Sequence, residues 1–209
     1  MSSFLQFSFR SFVSFSFGVT SFFVYLIGVD LGFFLTLLIS LSTGVLVYLI
    51  IKRIQFRLWL NKNGLTSKEF RYIKKNLKEA KEKINRLQKQ QLKVRSLGAF
   101  KQILDINRLS RRIFQLVKKE PKRYYSAESF FYYHLDSVVE ITEKYTFLAS
   151  QPGKNKESFL SLQQTRTTLD ELTRSLEDDL QNVLASDVDT LQFELHFANK
   201  HISQKKDLK

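Results

Sequence analysis

The hydrophobic residues of this chain are concentrated at one end. Nineteen residues from Phe33 to Ile51 contain no charged side chain, and a shorter stretch from about 11 to 27 is rich in Ser but dominated by Phe. A membrane-spanning helix needs about 20 mostly apolar residues, because backbone groups in hydrocarbon must be hydrogen-bonded internally. Both stretches therefore predict membrane-spanning helices.

A short turn over residues 28–32 separates the two stretches and predicts a transmembrane hairpin over 11–51. Its two glycines and Asp30 suit a tight turn. Basic residues are retained on the cytoplasmic side more than they are translocated. The hairpin is flanked by the following cations: Arg10 before the first stretch, and Lys52, Arg53, Arg57 and Lys62 after the second. We expect a plasma-membrane protein with two spans, both termini in the cytoplasm, and the last four cations at the membrane surface.

Residues 1–10 precede the hairpin and alternate Ser with Phe, which predicts an interfacial segment. A cleaved secretory signal over the first stretch is disfavoured, because no small-residue cleavage pattern follows it. Burial of both stretches in a soluble core is also disfavoured, because nothing downstream is apolar enough to cover them.

A helical pattern begins after the hairpin. Thr66 and Glu69 form a capping-box pattern. Apolar residues then alternate spacings of three and four, with one polar break at Gln91, as in a coiled-coil seam. The seam comprises Phe70, Ile73, Leu77, Ala80, Ile84, Leu87, Gln91 and Val94. We predict that Phe70, Ile73, Leu77, Ile84 and Leu87 bind a partner, which is either another segment of this chain or an acidic protein.

Four further helices follow from the same periodicity. They run from Leu97 to Val117 before Pro121, from about Ser126 to Leu148, from Glu157 to Ala185, and onward from a cap at 186–189. The loop at 150–155 is the clearest break between them. The predicted fold class is all-α, with a two-helix transmembrane hairpin followed by a cytoplasmic antiparallel helical bundle or coiled coil.

Charge divides the cytoplasmic part again. Residues 52–123 hold 23 Lys and Arg against 5 Asp and Glu, a net charge of +18, whereas residues 124–209 hold 9 against 14, a net of −5. The basic juxtamembrane segment should attract anionic lipids of the inner leaflet. Nucleic acid is not an expected partner, because no zinc finger, RNP-like strand or helix-turn-helix is present. The opposite charges allow packing within one chain or in a homo-oligomer.

Candidate chemistry is sparse. The chain has no cysteine and three histidines, none of them in a metal-ligand pattern, so we expect neither a metal nor a cofactor. The candidate catalytic residues are His134, Asp136 and Glu140, although the two carboxylates lie on a different helical face from the imidazole. We expect His134 at the edge of the aromatic core. The acidic run 177–179 predicts a solvated face or a partner for cations.

Several short motifs in 124–200 together resemble one family. They are His134 to Glu140, Glu143-Lys144-Tyr145, Gln151-Pro152, Thr165-Arg166, Thr168-Leu169, Glu171-Leu172, Glu177 to Leu180, Asp187-Val188-Asp189 and Glu194-Leu195. In order and spacing they resemble the XpaC family, described as 5-bromo-4-chloroindolyl phosphate hydrolysis proteins. The resemblance implies a coiled-coil partner of the TelA toxic-anion resistance family.

The family description raises the question of enzymatic activity. Phosphate ester hydrolysis usually needs a nucleophile beside a phosphate cradle or paired metals, and no Cys-x5-Arg, DxDx or Gly-rich motif is present. The residues favour a membrane-anchored helical adaptor without excluding an enzyme. The resemblance implies that such an adaptor acts with a TelA-like partner in envelope stress. The alternatives are a phosphoric ester hydrolase acting on aryl phosphates and an anionic-lipid-binding membrane organiser.

Overall fold

The computed structural model describes residues 3–28, 33–94, 96–152 and 155–207. Every regular element in these ranges is helical, so the predicted all-α class is confirmed for them. The chain forms two compact units, Met1–Ser67 and Lys68–Lys209. The helices are α1 (Ser3–Gly28), α2 (Phe33–Lys62), α3 (Ser67–Gln91), α4 (Leu97–Lys119), α5 (Leu135–Ser150) and α6 (Lys156–Asp207). The predicted turn lies largely outside the described residues.

In the first unit, α1 and α2 pack against each other through small residues. The Ser40 hydroxyl donates a hydrogen bond to the Gly18 carbonyl at 2.7 Å. A Cβ atom on Gly44 would lie 3.5 Å from the Ser14 carbonyl oxygen, so the two backbones approach closely. Close backbone approach at small residues, with hydroxyls bonding across the helices, is typical of helix pairs in membranes.

The large apolar side chains of the hairpin face outward. Leu38 and Leu41 on α2 are more than 60% exposed, as is Phe15 on α1, whereas Ser14 and Thr36 are buried. By length and composition one described helix, Phe34–Lys62, is able to cross a membrane, while the apolar helix Ser11–Val24 is shorter. The described residues therefore support one candidate span near the N-terminus and show no second one.

In the second unit, the seam of α3 is buried inside the chain. Ile73 and Leu87 are fully buried and Ile84 nearly so, while Phe70 and Leu77 are half-buried. Charged pairs join α3 to α5 beside this seam. The guanidinium of Arg86 donates to Glu143 at 2.6 Å, and Lys83 pairs with Asp136 at 2.5 Å. The basic helix therefore packs on the acidic region of its own chain, and any external partner of these seam residues stays a prediction.

The connection between α4 and α5 is compact and irregular. As predicted, α4 ends before Pro121, at Lys119. A 3₁₀ helix begins at Pro121. At the predicted helix start, 126–129, that 3₁₀ helix, Pro121–Ala127, passes into α-helical residues 128–129, and a π-helical turn, Phe130–His134, follows. The Leu135 N–H donates to the Phe130 carbonyl, five residues back. The wider turn allows both Phe130 and its neighbour Phe131 to be buried.

The predicted boundary between two C-terminal helices is wrong. α6 runs without interruption from Lys156 to Asp207, over 52 residues. The segment contains no Gly or Pro to end the first helix. Asp187, read in the sequence as part of a helix cap, instead pairs with Arg123 at 2.7 Å. Its carboxylate is therefore engaged by another element and does not start a new helix.

Candidate functional site at the His134–Asp179 pair

The π-helical turn ends at His134 and places this side chain against α6. π-Helical turns are rare and occur frequently at functional sites. Neighbouring Phe130 and Phe131 pack edge to face at 5.0 Å between ring centroids. His134 therefore lies at the edge of an aromatic cluster, as the sequence predicts.

His134 and Asp179 form a short polar contact. His134 Nδ1 lies 2.6 Å from Asp179 Oδ2, across 45 residues of sequence. The Asp179 carboxylate is almost completely buried, whereas the imidazole is about one quarter exposed. An ionised carboxylate only accepts hydrogen bonds, so it fixes the proton on Nδ1 and leaves Nε2 as the basic nitrogen.

The electrostatics of this pair balance burial against attraction. Burial raises the pKa of Asp179 above its ordinary value; the hydrogen bond from His134 opposes this, and the charge of Asp178 adds to it. The net direction is upward. A buried carboxylate that orients an imidazole is the arrangement used by general bases in hydrolases, so the pair is chemically able to move a proton.

The other two candidate catalytic residues lie elsewhere. Asp136 is engaged by Lys83, and Glu140 accepts from Lys144 at 2.8 Å, one turn along the same helix. Neither is joined to His134 by a described hydrogen bond. In the structure His134 contacts Asp179 and not Asp136 or Glu140. The catalytic role of His134, Asp136 and Glu140 stays a prediction.

A second polar contact holds the α4–α5 connection on the same face of α6. Arg123 donates to the Val183 carbonyl at 2.9 Å and to both carboxylate oxygens of Asp187 at 2.7 and 2.8 Å. It also donates to Glu120 at 2.7 Å. These partners raise its pKa above the ordinary value. Because its donors are used structurally, Arg123 offers no phosphate cradle beside His134.

Metal-based chemistry finds no support in the described residues. Within them, no group of three or more His, Asp or Glu side chains is placed to hold a metal ion.

The predicted membrane-surface cations lie in the C-terminal half of α2 and are exposed; they are Lys52, Arg53, Arg57 and Lys62. Their role at a membrane surface stays a prediction.

The sequence contains a signal for Asp179 that spacing alone could have revealed. Leu169, Leu172, Leu176 and Val183 form the core stripe of α6, and Asp179 falls in it, three residues after one member and four before the next. The expectation of a solvated acidic run holds for Glu177 and Asp178, which are exposed, and is wrong for Asp179. A buried carboxylate needs a partner, and His134 is that partner.

Two comparisons with known proteins agree on the family. The family model described as "5-bromo-4-chloroindolyl phosphate hydrolysis protein" matches residues 8–198. The chain is also 48% identical over 203 residues to Protein XpaC of Bacillus subtilis (strain 168), covering 97% of each chain.

The chain belongs to the XpaC family. No solved structure matches it significantly. The family match extends well beyond the motifs of 124–200 and includes most of the apolar hairpin. His134 and Asp179 both lie within the matched residues.

Proposed function

We propose that this protein is a membrane-anchored helical scaffold that acts at the cytoplasmic face of the plasma membrane. The observation that carries the proposal is the outward-facing apolar surface of α1 and α2, with Leu38, Leu41 and Phe15 exposed around a small-residue contact. In water such a surface would be strongly unfavourable, whereas hydrocarbon is its natural solvent. The two helices would span the bilayer as a hairpin with both termini inside.

Single-cysteine labelling tests this topology cleanly because the chain has no cysteine of its own. In intact protoplasts, a membrane-impermeant maleimide should label Asp30→Cys and should label Lys156→Cys only after lysis. Labelling of both variants before lysis, or of neither after it, would contradict the hairpin. Extraction of the full chain by alkaline carbonate would contradict anchoring altogether.

The docking surface of the scaffold would be the outer face of α3. Ile73, Ile84 and Leu87 are in the core, so an external partner would meet the exposed lysines instead, such as Lys78 and Lys89. Such a surface suits an acidic protein. The family resemblance favours a coiled-coil protein of the TelA type, acting in envelope stress.

Charge reversal tests this docking. Lys78→Glu, Lys81→Glu and Lys89→Glu together should abolish co-purification of a co-expressed TelA-family protein from detergent extracts. The matched control is Lys101→Glu, Arg111→Glu and Arg112→Glu on α4, which changes the net charge equally. Equal loss of co-purification in both triple variants would point to general charge attraction. Binding to anionic but not neutral vesicles through these lysines would favour the lipid-organising alternative.

A hydrolase of aryl phosphate esters is the second candidate, favoured by the His134–Asp179 pair together with the family description. His134 Nε2 would take a proton from the attacking water while Asp179 holds the ring. We favour the scaffold because the described residues offer no phosphate cradle.

Purified protein supplied with divalent metals and 5-bromo-4-chloroindolyl phosphate tests the hydrolase. Hydrolysis should fall by about 10²-fold or more in His134→Gln and Asp179→Asn, while Asp136→Asn and Glu140→Gln retain it. Activity that persists in the first two variants would remove this site from consideration.

A further inference from the structure

The distal segment of α6, residues 185–202, is exposed along its whole length. Every described side chain in it has an exposed surface, including Leu191, Leu195 and Ile202, each more than half exposed. The proximal part of the same helix instead buries Leu169, Leu176 and others in the core. The helix therefore continues for about four turns beyond Asp187, whose carboxylate is held by Arg123.

The distal segment nevertheless carries a continuous apolar stripe. The stripe begins at half-buried Leu184, just before the segment, and continues through Val188, Leu191, Leu195, Ala198 and Ile202, with spacings of four, three, four, three and four residues. This is the seam spacing of a two-helix coiled coil. Most helical stability in proteins comes from packing of an apolar face, so a covering helix would stabilise both the stripe and the helix itself.

Charge along α6 is polarised. Residues 184–194 contain three Asp and Glu and no Lys or Arg, whereas residues 195–209 contain four Lys and a single Asp. Two copies aligned in parallel would place acidic half beside acidic half. Two antiparallel copies would place the acidic half of each beside the basic half of the other.

We propose that the distal segment pairs with that of a second copy of this chain as an antiparallel coiled coil. One register keeps every layer apolar. Leu191 meets Leu195 of the other copy at the centre, Val188 meets Ala198, and Leu184 meets Ile202, each layer occurring twice by symmetry. A membrane surface is a poorer occupant, because the acidic half would be repelled by anionic lipid. This pairing goes beyond the proposed scaffold and does not depend on anchoring.

Crosslinking of the full chain in detergent micelles tests both the pairing and its direction. In the proposed register Glu194 lies about 3 Å along the axis from its symmetry mate, whereas Ile202 lies about 27 Å from its own. Glu194→Cys should therefore give a covalent dimer with a short bismaleimide, and Ile202→Cys alone should not. A mixture of Leu184→Cys and Ile202→Cys chains should give the dimer again.

Matched variants separate pairing from misfolding. Phe193→Cys places the thiol on the opposite face and should not crosslink. Leu191→Asp with Leu195→Asp should leave the helical unit folded, because both side chains are exposed, and should reduce Glu194→Cys dimer at least tenfold. Crosslinking of Ile202→Cys alone would indicate a parallel pair and overturn the proposal. Absence of dimer in every variant, with a monomeric mass by light scattering, would also overturn it.

Discussion

The two units of this chain have opposite distributions of polarity. In the first unit, Leu38 and Leu41 face outward while Ser14 and Thr36 are buried. In the second, Ile73 and Leu87 are buried and the lysines of α3 are exposed. Burial of apolar side chains drives folding only where the surroundings are water. The difference is the one expected if the hairpin, as proposed, lies in hydrocarbon while the helical unit lies in water.

Truncating one leucine in each unit should give the largest contrast. Leu87→Ala removes a fully buried side chain and should lower the unfolding free energy by about 2–5 kcal/mol through lost burial and a cavity. Leu41→Ala removes an outward-facing side chain of the hairpin and should change it by less than about 0.5 kcal/mol. Urea unfolding of the full chain in micelles, followed by circular dichroism, measures both. Equal losses of unfolding free energy would contradict the opposite distributions of polarity in the two units.

The hairpin should instead be sensitive to added bulk at its small residues. A Cβ at Gly44 fits at ordinary contact distance from Ser14, so Gly44→Ala should be tolerated. Gly44→Leu should cost about 1–3 kcal/mol through overpacking. Because each 1.4 kcal/mol is about tenfold, backbone amides of α1 should exchange hydrogen several-fold to a hundredfold faster in micelles. Unchanged exchange in Gly44→Leu would indicate that the helices do not pack through this contact.

Loss of the Arg123 contact should affect only the helical unit. Arg123→Ala removes the side-chain donor from Asp187 and from the Val183 carbonyl, and loss of the bond to Val183 alone should cost about 1 kcal/mol, the typical net contribution of one hydrogen bond. Arg111→Ala, at an exposed position of α4, is the matched control and should be nearly neutral. If Arg123→Ala is equally neutral, another contact fixes the α4–α5 connection.

Acid should weaken the helical unit slightly and leave the hairpin unchanged. Hydrogen bonds from Arg86 and Arg123 lower the pKa values of Glu143 and Asp187 below 4.5 and 3.8. A lowered folded-state pKa means that the unfolded chain binds protons first, so this stabilisation is present above the unfolded pKa and is lost as pH falls through the folded pKa. Asp179, whose pKa is raised, acts in the opposite direction.

The pH effect is measured by urea midpoints at pH 6 and pH 3.5. The urea midpoint of the helical unit should fall at the lower pH, and this fall should be smaller in the Glu143→Gln variant. Between residues 11 and 51 the only ionisable acid or base other than tyrosine is Asp30. The hydrogen-exchange rates of hairpin amides at pH 6 and pH 3.5 should therefore differ only through the intrinsic chemical rate of exchange. A larger midpoint shift in Glu143→Gln than in the parent chain would contradict the role of Glu143.

Much of the helical structure could be predicted from neighbouring residues. The seam of α3 and the end of α4 before Pro121 follow from periodicity and from proline's missing N–H. The resemblance of 124–200 to the XpaC family likewise came from residues read in order. The continuity of α6 could not be predicted, because Ser186-Asp187 is a good cap whenever Asp187 is unpaired. Arg123 supplies a distant partner that removes this option.

The sequence by itself determined which segments are helical, where the charge lies and which end is apolar, because these properties depend on residues within a few positions of one another. Only the tertiary structure decided that the α3 seam closes on its own chain and that His134 meets Asp179. These contacts join residues 45 or more positions apart in the chain, and they form only when whole helices pack. The candidate site therefore depends on the arrangement of helices rather than on any local motif.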